Sequence, residues 1–444
     1  MAAAKRTALA FKIKTVFVKA IFIIHFAYNS IIKKFNKLTF LADNFFMSRK
    51  SRKQSPVIPI IVIFSVILII SASLVTRAVI NKKLRDRTVK VAFFGLSDDL
   101  CKLIESKTPL LEEVKFTFDI IPEKGLELSI LKDKYDVLFT WKGSVTSALS
   151  TAAQTIPDKV LVSAPTSLRD KKAMPILLDH YEMTFSKSVA TALDYNIGSN
   201  LPTFINYLES SKKKVFSPFF ANGGEDRTLL ALVGSLVEAY GGVEAYKVFI
   251  NEIKKNQDFE TLLDAPLNAK GLTLRKVMIQ LKSFSEQGLA HPQWFAGRKN
   301  DLVYFAQDNQ IGAFFTSLSV HRTIPYNIIK NFESSYFPFV DYSVPHGILA
   351  PAVTCVLLSD NSNGEKYLQN LMSVEVQEDL SNATMLAPVH YRAQAYDRQA
   401  DDVRYWAASC AGGALPDPAL AAFQTNNNAI GVLASDIREF LRQR

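Results

Sequence analysis

Four groups of residues in this 444-residue chain have side chains and spacing suited to holding a small polar molecule. Trp141 stands directly after Tyr135–Thr140 (YDVLFT), a run that reads as a buried strand. Open α/β sheets hold ligands in the crevice beyond the carboxyl ends of their strands. An indole there stacks on the C–H face of a sugar and excludes water without adding charge. The alternative is a rim tryptophan that packs on its own surroundings. Asn222-Gly223-Gly224-Glu225-Asp226-Arg227-Thr228 forms the second group. Its glycines allow close backbone approach, and it opens a helix whose first N–H groups lack partners. Asp226 and Arg227 suit ligand hydroxyls through charge-assisted bonds, and Asp226 equally suits a plain helix cap. Thr316, Ser317, Ser319, His321 and Arg322 follow the apolar run Ile311–Phe315. Their hydroxyls suit a polyol, or they begin a capped helix. Asp179 and His180, the fourth group, interrupt Pro175–Phe185 (PILLDHYEMTF) and suit either a cleft floor or a satisfied hinge histidine.

Other chemistries find little support. The six histidines are His25, His180, His291, His321, His346 and His390, and none sits in HxH or HExxH spacing. Cys101, Cys355 and Cys410 are widely spaced and form no CxxC. A metal site is therefore not expected. GxSxG, the phosphate-loop pattern GxxxxGK[ST] and zinc signatures are missing. The expectation is a binding protein with no catalytic residues and no cofactor.

The elements that must position these residues alternate. Val89–Phe94, Val114–Ile121 and Tyr135–Thr140 read as strands. Helices are expected after Ser97 or Asp98, over Leu126–Leu131 and over Ser144–Ala153. Such alternation builds a parallel sheet covered by helices. Pro175–Phe185 is a longer extended run, suited to a strand crossing between two lobes. Further helices are expected over Thr228–Tyr240, stopping at Gly241-Gly242, and over Thr273–Gln287, Glu365–Leu380 and Ala429–Leu441.

Charge divides the chain. Residues 1–88 hold 17 Lys or Arg and two acids, whereas 89–444 hold 35 basic and 40 acidic residues, a net of −5. The excess positive charge flanks Pro56–Val75, twenty residues without a charge. That length spans about 30 Å of hydrocarbon. A transmembrane anchor is expected there, with residues 1–55 cytoplasmic, 76–88 a linker, and 89–444 folded outside. A cleaved signal remains the alternative, with Ser71-Ala72-Ser73 as its site. Residues 1–46 read either as an interfacial amphipathic helix or as sequence upstream of a start at Met47. A nucleic-acid partner is not expected, because the folded part is slightly acidic.

Taken in order, these segments resemble bacterial extracellular solute-binding proteins of the maltose-binding type over nearly all of 89–444. The resemblance rests on the strand–Gly–helix opening Val89–Gly95, on YDVLFTWKG at Tyr135–Gly143 and on PILLDHYEMTFSK at Pro175–Lys187. Leu201-Pro202-Thr203-Phe204 is similar to the family's P-x-T-W before a helix. DLVYFAQDNQIGAFFTS at Asp301–Ser317 is similar to its F-x-x-G-K-x-A-M, with Asn309-Gln310 in place of Gly-Lys. Leu386-Ala387-Pro388-Val389 resembles a return segment, with His390 where Arg is commoner. No lipidated Cys follows the apolar run. The resemblance implies a two-lobed periplasmic-binding-protein-like α/β fold with a ligand cleft. Lobe one would take 88–180 and 345–385, and lobe two 184–340 and 388–444. It also implies that Thr316, Ser317 and His321 line the cleft, and that Tyr405 and Trp406 supply an aromatic platform. The expected role is capture of a small polar ligand, a carbohydrate, by a monomeric domain tethered outside the cytoplasmic membrane, for the permease subunits of an ABC importer. A sensor signalling to a membrane receptor is the alternative.

Overall fold

The computed structural model describes residues 70–77, 87–122, 128–255 and 258–443. The chain divides into two compact units, Met1–Ile80 and Asn81–Arg444. Of the first, residues 70–77 are helical, with Thr76 Oγ1 donating to Ala72 O at 2.8 Å. The expected membrane segment 56–75 otherwise lies outside the described residues, as do residues 1–46 and Met47. Among the described residues, one helix is long and apolar enough to cross a membrane, Asp226–Lys254, and it is mostly buried inside the second unit.

The second unit is mixed α/β and contains two main sheets. The six-stranded sheet runs β11-β4-β10-β3-β1-β2. Its strands are β1 (Thr88–Phe94), β2 (Lys115–Ile121), β3 (Val137–Trp141), β4 (Met174–Leu178), β10 (Ala352–Leu357) and β11 (Ala387–Pro388). β1, β2 and β3 are parallel, and β10 runs antiparallel to both β3 and β4. Val91 and Phe93 point into the main core, and Ala92 and Phe94 into a smaller core on the other face. Both faces are covered, which explains why β1 reads as an apolar run rather than an alternation. Phe93 stacks on Phe139 at 5.3 Å.

The four-stranded sheet runs β6-β7-β5-β8, from β5 (Tyr181–Ser186), β6 (Ser217–Ala221), β7 (Ile311–Ser317) and β8 (Phe332–Ser335). β6 and β7 are parallel, and β5 is antiparallel to β7 and β8. β9 (Ile348–Leu349) and β12 (Ala414–Leu415) form a separate parallel pair.

The run Pro175–Phe185 is not one strand. It breaks at Asp179-His180 into β4 of one sheet and β5 of the other. The polar pair falls where the chain leaves one sheet for the next. Asp179 N donates to Pro351 O at 2.8 Å, and Leu318 N donates to His180 O at 2.7 Å. A second passage, between β9 and β10, thus pins the first.

Two helices differ from expectation. The helix expected to stop at Gly241-Gly242 continues to Lys254 across a kink at Gly242 (φ 69°, ψ −172°). The kink frees the Val243 N–H, which Pro345 O accepts at 3.0 Å, so no donor is stranded and the helix resumes. The helix expected over Glu365–Leu380 is two, Ser362–Leu371 and Val374–Thr384, because Ser373 caps the second through Val376 N. Ser97, not Asp98, caps Asp98–Lys107.

The segment leading into β9 carries its own clamp. His346 lies flat on Phe339, with ring centroids 4.0 Å apart and planes within 4°. Its Nδ1 lies 3.1 Å from Glu238 Oε1, and Gly347 N donates to the same oxygen at 2.8 Å. Cys101 and Cys355 are buried and Cys410 half-buried, all as free thiols. Burial pushes Cys101 and Cys410 up to about 11, so they behave as inert packing groups.

Candidate functional site

Strand register brings the site together. Trp141 at the carboxyl end of β3 opposes Val353, and Leu178 at the end of β4 opposes Ala352, so both lie at one edge. In the other sheet Tyr181 opposes Ser317, and Ala221 opposes Phe315. The carboxyl ends of β6 and β7 therefore meet the start of β5. The two edges flank the short passage Asp179-His180, the place where an α/β sheet binds a ligand.

Trp141 and Arg227 do meet. The Arg227 guanidinium carbon lies 5.6 Å from the Trp141 ring centroid, within cation–π range. Arg227 Nη2 also donates to Asp417 Oδ2 at 2.7 Å. Burial works against the charge on Arg227, but the Asp417 carboxylate outweighs it and raises the Arg227 pKa. Asp417 has no exposed surface, and its Oδ1 accepts from Leu420 N at 3.0 Å, starting the helix Pro418–Phe423. Asp179 accepts from Ser319 twice, from N at 3.0 Å and from Oγ at 2.7 Å. Burial lifts the Asp179 carboxyl above its ordinary range, against the pull of those two bonds. Tyr181 is pushed well up by burial and feels Arg227, Asp417 and Asp179. An aromatic face, one compensated cation, the buried Asp417 carboxylate and the half-buried Asp179 carboxylate thus converge between the sheets.

The glycine loop has another task. A Cβ on Gly223 would meet Phe295 Cα at 2.7 Å, and Gly224 N donates to Gly297 O at 2.8 Å. The glycines admit the protein's own segment 294–297. Asp226 is not the cap: Glu225 holds the N-cap position, and Asp226 pairs with Arg438 at 2.7 Å. Arg438 in turn donates to the carbonyls of Gly223, Gly224 and Phe295. Asp226 is therefore held as a structural anchor, away from the Trp141–Arg227 contact.

Thr316, Ser317 and His321 divide between two places. Ser317 caps the short helix Leu318–His321 and shares a bond of 2.9 Å with Ser319. Thr316 is buried beside Glu182 on β5, its neighbour in register, and its Oγ1 has no partner among the described residues. His321 belongs to a buried network on that face of β5. Its Nδ1 lies 2.5 Å from Glu182 Oε1, and Thr184, Ser334 and Gln399 bond the same oxygen. Burial alone would raise the Glu182 carboxyl; His321 and His180 outweigh it and hold it low. The network's outer side borders a cavity of about 580 Å³ that includes Lys187, Arg322, Tyr326 and Tyr396.

The expected aromatic pair separates. Trp406 packs between His180, at 5.4 Å, and Tyr336, at 6.1 Å, on the passage side. Tyr405 is 69% exposed, since neighbours on a helix point about 100° apart.

Asp417 and Gln424 were not expected at this site. Gln424 Nε2 donates to Thr140 Oγ1 and to Trp141 O, both at 2.9 Å, and its Oε1 accepts from Val145 N at 3.1 Å. The Asp-Pro pair at 417–418 does carry a capping signal, but nothing local marks either residue as facing Trp141.

No protein-family model matches this chain, and no curated protein matches it in sequence. Solved structures do match in fold. A bacterial solute receptor, AcbH, described with an exclusive preference for β-D-galactopyranose, superposes with a TM-score of 0.62 at 13% identity, covering 80% of this chain and 92% of that one. The binding protein MsmE from Bacillus subtilis, in an open conformation, gives 0.61 at 12%, covering 80% and 92%. A sugar transporter from Bacillus licheniformis in complex with stachyose gives 0.51 at 13%, covering 80% and 98%. The chain has the mixed α/β fold of bacterial sugar-binding solute receptors of the maltose-binding type.

Proposed function

We propose that this chain is an extracytoplasmic solute-binding protein that captures a small neutral polar molecule, a carbohydrate, for an ABC importer. The contact between Trp141 and Arg227 carries this reading, since it joins the binding edges of the two sheets. Each sheet would be the core of one lobe, with the ligand enclosed as the lobes close about Asp179-His180. Stacking on Trp141 supplies apolar contact, and the Asp417 carboxylate already compensates Arg227. An anionic ligand would meet Asp179 and Asp417 and find no spare arginine cluster. The likeness to receptors whose descriptions name galactopyranose and stachyose supports a carbohydrate. The N-terminal apolar segment would tether the binding unit to the outer face of the cytoplasmic membrane, beside its permease partner.

A thermal-shift screen of the full chain in detergent, against sugars, polyols, amino acids and oligopeptides, tests this. A ligand at 100 times its Kd stabilises the fold by about 2.7 kcal/mol. Sugar hits are expected, and Trp141→Ala should weaken binding by about 1–3 kcal/mol in calorimetry. Hits confined to amino acids or peptides would overturn the ligand class, and an unchanged affinity would remove Trp141 from the site.

A further inference from the structure

The segment 417–424 belongs with the four-stranded side, packing along the helix Asp226–Lys254. Yet it reaches the six-stranded side at three groups. Gln424 uses its whole carboxamide: Nε2 donates to Thr140 Oγ1 and Trp141 O, and Oε1 accepts from Val145 N. Beside it, the approach of Leu420 O to Gly143 is so close that a Cβ on Gly143 would lie 2.3 Å from that oxygen. Gln424 is 5% exposed. A ligand that reaches the Trp141 carbonyl has to part these contacts, and parting them uncovers two acceptors and one donor.

We propose that Gln424 is an internal stand-in for the ligand of this cleft: its carboxamide holds the subsite beside Trp141 until a neutral ligand replaces it, donating to Thr140 Oγ1 and Trp141 O and accepting from Val145 N–H, the groups that set the specificity. This rests on the binding function proposed above. Vicinal hydroxyls of a sugar match the pattern, because each both donates and accepts. A carboxylate does not. It offers only lone pairs, and the Trp141 carbonyl offers the same. The internal contact also lowers apparent affinity by the fraction of molecules in which it is open.

Three variants approach the contact from its two walls. Gln424→Ala removes the carboxamide, and Gly143→Ala drives a methyl against Leu420 O; Gln424→Glu keeps the shape and loses the donors. Each is made in the full chain. The first readout needs no ligand: acrylamide quenching of tryptophan fluorescence. Of the three tryptophans, Trp294 is fully buried and contributes little and Trp406 is half-buried, so the part of the rise that depends on Trp141 reports the parting of the sheets there. Quenching should rise in all three variants, and the rise should vanish when Trp141→Phe is added. Unchanged quenching in Gln424→Ala and Gly143→Ala overturns the proposal whether or not any sugar binds. The second readout is calorimetry with D-galactose and D-galacturonate. Gln424→Ala should bind D-galactose about ten-fold more tightly than the parent, by release of the internal competitor, and gain nothing for D-galacturonate. An equal gain for both overturns the specificity. Raised quenching with no sugar bound by parent or variants supports the internal contact and counts against the carbohydrate reading instead.

Discussion

Replacing Asp417 separates two roles of one carboxylate. Oδ1 starts the helix Pro418–Phe423 through Leu420 N, and Oδ2 holds Arg227. Asp417→Asn keeps a capping oxygen and loses the charge, and Asn caps about as well as Asp. A charge-assisted bond of this kind contributes about 1.5–3 kcal/mol. The Arg227 side chain is 35% exposed, and water screening reduces the net effect to about 1–2 kcal/mol. Asp417→Ala loses the cap too, roughly another 1 kcal/mol, for a total of about 2–3 kcal/mol. A unit spanning Asn81–Arg444 has an unfolding entropy that makes each kcal/mol about 1–2 °C in Tm. The Asn variant should therefore melt about 1–3 °C lower and the Ala variant about 3–5 °C lower by calorimetry. A double-mutant cycle of Asp417→Asn with Arg227→Met, read by urea denaturation, should return a coupling of about 1–2 kcal/mol. Equal Tm values for Asn and Ala would refute the separate cap, and coupling under about 0.5 kcal/mol would refute the ion pair.

Three further outcomes are expected. Burial would raise Glu182, but His321 and His180 lower it from the ordinary 4.5 to about 2, so its ionised form stabilises the fold above 4.5 and that stability is lost as pH falls toward 2. Glu182→Gln should flatten this acid limb in a plot of Tm against pH; an unchanged limb would sink the assignment. Gly242→Ala should destabilise by about 1–3 kcal/mol, because a side chain at φ 69° is strained and its Cβ would meet Pro345 O at 2.7 Å; a denaturation midpoint equal to the parent's would count against the kink. A chain begun at Met47 should fractionate with membranes as the full chain does, and its appearance in the soluble fraction would give residues 1–46 a role in targeting.

The passage between sheets was legible in part: the polar pair Asp179-His180 inside an apolar run suggested one strand crossing between lobes, and the chain there is two strands of different sheets. Trp141 was legible as the residue after a buried strand. Arg227 was legible for its loop, but its partner was not: Asp417 lies 190 residues away. Gln424 stands 279 residues from Val145, and its bonds depend on how two sheets meet. Periodicity reports which face of an element is apolar and says nothing of what a distant segment brings to it. Gly241-Gly242 misled for a related reason. A glycine pair ordinarily ends a helix, but here the distant Pro345 carbonyl accepts the donor freed by the kink, and the amphipathic pattern resumes at Val243.

The polar groups around the passage do different kinds of work. Asp179 spends both carboxylate oxygens on Ser319, and the Asp179 backbone N–H is held by Pro351 O. These bonds join consecutive passages of the chain and need not break when the sheets move about them. The contacts across the gap are of another sort. Arg227 over Trp141, and Gln424 on Thr140, Trp141 and Val145, join side chains on one sheet's helices to the edge of the other. Each is individually modest: hydrogen bonds between neutral groups contribute about 0.5–1.5 kcal/mol net, and a cation over a ring about 0.5–2 kcal/mol. In the binding function proposed above, a set of that size would hold the cleft shut without making closure irreversible. Two vicinal sugar hydroxyls offer the bonding groups of the carboxamide they would displace, so the exchange would leave few polar groups stranded, and the net gain would come from an apolar face on Trp141. The same reasoning sets the direction of selectivity: whatever enters must match a carboxamide in hydrogen-bonding pattern and in charge.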